Sequence, residues 1–142
     1  MTRGATITEK ILSAHSGRTC RAGESVVCTV DAAMASDGSA PMAIDYFNKM
    51  GGKTLAQPKS IVFALDHYSP PDNPATVALQ DRMRDFTAKN GNVLYEIGAG
   101  ISHQLMIERG HVRPGQLVVG ADSHSVQYGA ANVFSTGVGS SD

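Results

Sequence analysis

Three short, almost continuously apolar runs punctuate this chain: Ile61-Val62-Phe63-Ala64-Leu65, Val93-Leu94-Tyr95-Glu96-Ile97 and Leu117-Val118-Val119. Their length and β-branched content predict buried strands over 61–65, 93–97 and 117–119. A similar run, Val26-Val27-Cys28-Thr29-Val30, predicts another strand over 26–30. Helical signals lie around them. Thr6-Ile7-Thr8-Glu9 has capping-box spacing and predicts a helix from about 7 to 15, stopped by Gly17. Pro41 suits a first helical turn, and Ile44, Phe47 and Met50 recur at helical spacing up to Gly51-Gly52. The small residues over 35–40 between these two segments read as a turn or an approach to a ligand. Pro70-Pro71-Asp72 forms a stiff loop before an Asn73 N-cap and a Pro74 first residue. Val77, Leu79, Met83 and Phe86 then make an apolar stripe up to a Gly91 C-cap. A shorter helix is expected over 102–108, leading through Arg113-Pro114-Gly115 into the last of the three strands. The stretch 128–142 is small and Gly-rich, which predicts a close-packed helix running into a loop, and it stops without a turn signal, as a cut chain would.

Strands alternating with helices predict an α/β fold, a three-layer α/β/α arrangement around a mainly parallel sheet, with no internal boundary over 1–142. Right-handed crossovers make the strands parallel and bring their carboxyl ends to one edge, where open α/β sheets bind ligands. The residues that follow the three strands are Asp66-His67, then Gly98-Ala99-Gly100-Ile101-Ser102-His103, then Gly120-Ala121-Asp122-Ser123-His124. Two carboxylates, a hydroxyl and three imidazoles are therefore expected in one crevice, and Asp66, His67, His103, Asp122, Ser123 and His124 are the candidate catalytic residues.

A carboxylate beside an imidazole orients the ring and raises its basicity, which gives a group that exchanges protons near neutral pH. Ser123 lacks the glycine spacing of a nucleophile elbow and is not read as an acyl nucleophile. His15 and His111 are read as structural or solvated, and Gly137-Val138-Gly139 as a weak anion-nest signal that close packing explains equally well. The chemistry leaves two enzyme classes open. One is an acid–base enzyme, metal-independent or cluster-assisted, acting on a carboxylate-bearing substrate; the other is a small hydrolase whose divalent ion is held by Asp and His. A remnant that packs without reacting is the third possibility.

Composition narrows the partners. A length of 142 residues suits a single domain, and 42% hydrophobic against 18% charged residues is ordinary for a folded chain. Twelve basic and thirteen acidic residues are intermixed, giving a net charge of −1 and no footprint for nucleic acid or an anionic membrane. The longest apolar runs are strand-sized and the start carries no signal-peptide pattern, so a cytoplasmic location is expected. Cys20 and Cys28 match no metal knuckle or redox motif and are read as ordinary thiols.

The ordered set of 6–17, Asp66-His67, Gly98-Ala99-Gly100-Ile101-Ser102-His103-Gln104, Gly120-Ala121-Asp122-Ser123-His124-Ser125 and Tyr128-Gly129-Ala130 closely resembles the aconitase superfamily, nearest to its isopropylmalate dehydratase and homoaconitase branch. The likeness runs across almost the whole chain and matches the N-terminal portion of such a catalytic subunit. It implies a hydro-lyase that moves water on a hydroxy di- or tricarboxylic acid, 3-isopropylmalate/2-isopropylmalate interconversion first, with homoaconitase or a substituted-malate dehydratase as the alternative. It also implies a [4Fe-4S] cluster and a partner small subunit. Under the resemblance, Asp66 and His67 are an acid/base pair on the leaving hydroxyl, His103 and His124 hold water or hydroxyl, and Asp122 and Ser123 complete that network. Asp37-Gly38-Ser39-Ala40-Pro41 departs from the aconitases proper and argues against citrate. Cys20 and Cys28 do not match the family's cluster ligands, which are expected in sequence beyond this chain together with its substrate-binding arginines and proton-abstracting serine. Residues 1–142 alone are therefore expected to hold no cluster and to be inactive.

Overall fold

The computed structural model describes residues 4–142. Among these, five strands form one all-parallel sheet in the order β3-β2-β1-β4-β5. The chain begins with α1 (Ile7–Ser16), whose ends are set locally. Thr6 accepts from the Glu9 amide at 3.1 Å, Glu9 returns the bond to the Thr6 amide at 2.8 Å, and Gly17 closes the helix in the left-handed region. β1 (Ala32–Ser36) follows, then α2 (Ala40–Lys49), β2 (Ile61–Ala64), α3 (Pro74–Asn90), β3 (Val93–Tyr95), α4 (Ser102–Glu108) and β4 (Leu117–Gly120). A 3-10 segment (Ser123–Ala131) then leads into β5 (Phe134–Gly137).

Alternate strand residues feed two cores. Met34, Val62 and Val118 face Met106 of α4 and Tyr128 of the 3-10 segment. Ala35 and Phe63 face Ile44 of α2 and Met83 of α3 on the other side. The α/β sandwich expected from the alternation is thus present, with helices on both faces. No helix among the described residues is long and apolar enough to cross a membrane.

Three expectations need correction. Residues 26–30 form no strand: Val27 is 93% exposed, and the first strand lies one step later, at Ala32-Ala33-Met34-Ala35-Ser36. This central strand is flanked by β2 and β4 and covered on both faces, so small side chains fit it where β-branched ones were expected. The 128–142 stretch is not a helix; it gives the end of the 3-10 segment and β5, which pairs in parallel with β4 from Leu117↔Phe134 to Gly120↔Gly137. On α3 Met83 is buried and Phe86 packs against the core as expected, but Thr76 and Gln80 join the buried face while Val77 is 40% exposed.

The strand order places a topological switch between β1 and β4. The chain steps outward from β1 through β2 to β3, then crosses back to start β4 and β5 on the other side. Connections leave the two central strands in opposite directions, which opens a crevice at their carboxyl ends.

Candidate active site

Asp66 and His67 lie just past β2, where the alternation of side chains has lapsed and neighbouring residues can face the same way. Asp66 is largely buried. Its Oδ2 accepts the Ser102 amide at the start of α4 at 2.6 Å, and its Oδ1 lies 2.8 Å from His67 Nδ1. A carboxylate oxygen only accepts, so Nδ1 carries the proton. His67 Nε2 is left facing Asp122 Oδ2 across 3.7 Å.

Asp122, two residues past β4, is the hub of the other half. It caps the 3-10 segment, with Oδ1 accepting the His124 amide at 2.7 Å. The same oxygen lies 2.9 Å from His103 Nε2, presented by α4, and 3.2 Å from His124 Nδ1. The second nitrogen of His103, Nδ1, lies 3.0 Å from the hydroxyl of the fully buried Tyr128. With Nε2–H directed at a carboxylate, the neutral ring accepts at Nδ1 and Tyr128 donates to it.

Two glycines let this turn fold back onto the sheet. A Cβ at Gly120 would sit 1.9 Å from Ser125 Oγ, and one at Gly137 would sit 2.6 Å from the Asp122 carbonyl oxygen. The ends of β4 and β5 therefore have to be bare for Asp122 to reach the crevice.

The electrostatics follow from the wiring. For His67, burial works against the charged ring, but the hydrogen bond to Asp66 and the charges of Asp66, Asp122 and Asp37 raise its pKa above the ordinary value. For Asp66, burial opposes ionisation, yet the Ser102 amide and His67 hold the carboxyl below the usual range. Asp122 is likewise held low against burial by the His124 amide and the His103 ring. Burial pushes the Tyr128 hydroxyl upward, so it stays protonated as a donor.

Five of the six residues expected from sequence, Asp66, His67, His103, Asp122 and His124, are joined in this network. Ser123 is at the same edge, but its exposed hydroxyl engages none of them. His15 and His111 lie outside it. His15 bridges the Ile11 carbonyl at 2.8 Å and Asp31 at 2.6 Å, while His111 Nε2 lies 2.6 Å from the Tyr95 hydroxyl. Both rings are engaged in these bonds away from the crevice.

Residues that the sequence reading missed support the network from behind. Tyr128 is one. Asp37, in the turn after β1, is another: it is 1% exposed and accepts the amides of His67 at 3.0 Å and Tyr68 at 3.2 Å, and Gln80 Nε2 from α3 at 2.9 Å. Recognising β1 would have placed Asp37 at a strand's carboxyl end, and Tyr128 lies in the Tyr128-Gly129-Ala130 segment of the resemblance, though with no role assigned to it; nothing local marks Gln80.

His103, Asp122 and His124 bring ligand-type atoms within 4.8 Å of one another, as do Asp37, Asp66 and His67. Within these groups Asp122 Oδ1 faces both His103 Nε2 and His124 Nδ1, Asp66 Oδ1 faces His67 Nδ1, and the Asp37 oxygens accept backbone amides. The two thiols serve neither group. Cys20 Sγ and Cys28 Sγ each lie 3.6 Å from a carbonyl oxygen of α1, those of Glu9 and Leu12.

Comparison with known proteins gives a consistent picture. A family model described as the aconitase family (aconitate hydratase) matches residues 9–142. The chain is 44% identical over 139 residues to the 3-isopropylmalate dehydratase large subunit of Methanoregula boonei, covering 98% of this chain and 33% of that protein. It is equally 44% identical over 139 residues to 3-isopropylmalate dehydratase large subunit 1 of Thermotoga maritima, with the same coverage. The corresponding large subunit 1 of Methanopyrus kandleri is 40% identical over 140 residues, 98% of this chain and 34% of its own length. The chain thus spans about a third of the length of these relatives.

Proposed function

The chain belongs to the aconitase family, and on that footing we propose that its crevice is the acid–base part of a hydro-lyase site. The reaction we assign is the interconversion of 3-isopropylmalate and 2-isopropylmalate, in keeping with the names of the similar proteins. The observation that carries the reading is His67, whose Nδ1 is tied to Asp66 at 2.8 Å while its Nε2 opens toward Asp122 at 3.7 Å.

Dehydration of a hydroxy acid has to expel hydroxide, a poor leaving group unless it is protonated or held by preorganised donors as it departs. In this reading protonated His67 delivers its Nε2 proton to the leaving hydroxyl and recovers it when water adds back. Asp66 keeps the ring oriented and compensates its charge. Asp122, flanked by His103 and His124, holds the departing water, and the Ser123 hydroxyl at the same edge completes its shell.

Membership in the family implies an iron-sulfur cluster, which supplies Lewis acidity when bound. Residues 4–142 do not offer a ligand set for it, since the two thiols are hydrogen-bonded along α1. The ligands, the substrate-binding arginines and the base that takes the carbon-bound proton are assigned to sequence outside these residues. A small partner subunit is part of the proposal, because the similar proteins are large subunits by name. The exposed apolar side chains of Tyr68, next to His67, and Ile101, just before α4, favour a covering chain there.

The test is turnover of 3-isopropylmalate by the complete two-subunit enzyme and its His67→Ala variant. A loss of about a hundredfold or more in a correctly folded variant is expected from removal of a general acid. Full turnover in folded His67→Ala would overturn the site assignment, and turnover of citrate in place of 3-isopropylmalate would overturn the substrate assignment.

A further inference from the structure

We propose that Asp37, with Gln80 behind it, is the positioning residue of the catalytic imidazole: a buried carboxylate that clamps the backbone from which His67 projects. The inference rests on the role given to His67 above and adds a residue outside the crevice's proton path.

His67 is not held by its own side chain alone. The side chain is 38% exposed, and among the described residues its ring hydrogen-bonds to the adjacent Asp66 alone, with Asp122 farther off at 3.7 Å. A bond between neighbours leaves the pair free to swing together, so the direction of Nε2 toward Asp122 depends on the backbone at 67 and 68. That backbone lies in a turn past the end of β2, where no strand partner fixes it.

Asp37 supplies the missing constraint. Its Oδ1 accepts the His67 amide at 3.0 Å and its Oδ2 accepts the Tyr68 amide at 3.2 Å. Two consecutive amides converge on one carboxylate, and rotating either peptide breaks a bond that buried surroundings do not replace. Gln80, 1% exposed on α3, closes the arrangement: its Nε2 donates to Asp37 Oδ2 at 2.9 Å and to the Tyr68 carbonyl at 2.9 Å. The turn is thereby tied to the end of the central strand and to α3. Gly38 follows Asp37 alongside this turn, where an added Cβ would come 3.9 Å from His67 Cβ and Cδ2. The two carboxyl oxygens of Asp37 between them accept from all three donors. An Asn would turn an amine toward one of them.

The test is a double-mutant cycle in the complete two-subunit enzyme using Asp37→Asn, His67→Ala and the pair. Asp37→Asn is expected to lower kcat about a hundredfold, the scale of a displacement near 1 Å, and to leave KM within about threefold. On the His67→Ala background the same change should add almost nothing, because it acts through the imidazole already removed. A purely structural role would instead add its loss to that of His67→Ala. Amide exchange at His67 and Tyr68 should accelerate about tenfold or more in Asp37→Asn, a readout independent of turnover. Should Asp37→Asn fail to fold, Gln80→Met decides: it is expected to lower kcat several-fold, again only when His67 is present. Unchanged kcat in folded Asp37→Asn or Gln80→Met, or losses additive with His67→Ala, would overturn the inference. Unchanged turnover in His67→Ala would overturn the underlying reading instead, and the exchange rates would still report whether the clamp exists.

Discussion

His103 Nε2 lies 2.9 Å from Asp122 Oδ1, and the other nitrogen of the ring lies 3.0 Å from the hydroxyl of Tyr128. The imidazole is thus held at both ends, by an acceptor at the crevice and by a donor in the core. Replacing Tyr128 with Phe removes the donor and leaves a ring that is 7% exposed with an unsatisfied acceptor. Tyr128→Phe is expected to destabilise the fold by about 1–2 kcal/mol, measured by denaturant unfolding at unchanged slope. A midpoint equal to that of the unmodified chain would show that the hydroxyl does not carry this bond.

The raised pKa of His67 carries a sign for activity. Burial alone would discharge the ring early, whereas Asp66, Asp122 and Asp37 keep it protonated above its ordinary value of about 6.5. In the dehydration direction, kcat/KM should therefore hold through neutrality and fall on the alkaline side as the acid is lost. Asp66→Asn removes the nearest charge, so that alkaline limb should move to lower pH. A limb that stays in place or moves upward would separate it from the titration of His67.

His15 gives a stability prediction of the same sign at a different place. Its two nitrogens face only acceptors, the Ile11 carbonyl and Asp31, so the bonded form is the imidazolium. The Ile11 carbonyl is the main cause of its raised pKa; burial opposes the charge, and Asp31 adds to the rise. A histidine whose pKa is raised on folding contributes stability fully below its unfolded value, near 6.5, and loses it as pH climbs through the folded value. His15→Gln should therefore cost more stability at about pH 6 than at about pH 9. Thermal melts of the two proteins that differ equally at both pH values would contradict this. Asp31 also accepts the Leu117 amide at 2.8 Å, so the pair pins α1 to the start of β4.

Gly137 and Gly129 offer a contrast between two neighbouring glycines. A methyl at 137 would press on the Asp122 carbonyl at 2.6 Å, whereas one at 129 meets nothing within 4 Å. Gly137→Ala is expected to cost about 1–3 kcal/mol and to lower turnover by shifting Asp122. Gly129→Ala should stay within about 0.5 kcal/mol of the parent. Equal tolerance at the two positions in denaturation and turnover would mean that the β5 end does not support the Asp122 turn.

Much of this molecule is readable along the chain. The caps Thr6-Glu9 and Asn73-Pro74, and the stops Gly17 and Gly91, act through bonds spanning three or four residues, and they appear where their spacing places them. β2 and β4 were visible because β-branched runs report burial by themselves, β3 in part, since only Val93–Tyr95 of the expected 93–97 forms a half-buried edge strand, and Asp66, His67, His103, Asp122 and His124 were visible because they follow those runs. β1 was not visible: an Ala-rich strand has no hydrophobic signature, and it is buried because β2 and β4 flank it. β5 was hidden for the same reason, its small residues drawing their order from pairing with β4. The supports of the site are further from legibility. Asp37 meets Gln80 across 43 positions and His103 meets Tyr128 across 25, and neither partner carries a local mark of the other. Sequence thus determines which groups arrive at the carboxyl edge, because strand ends are local events. Only the tertiary structure decides how each group is aimed, because the hydrogen bonds that aim it join elements brought together by the order of the strands.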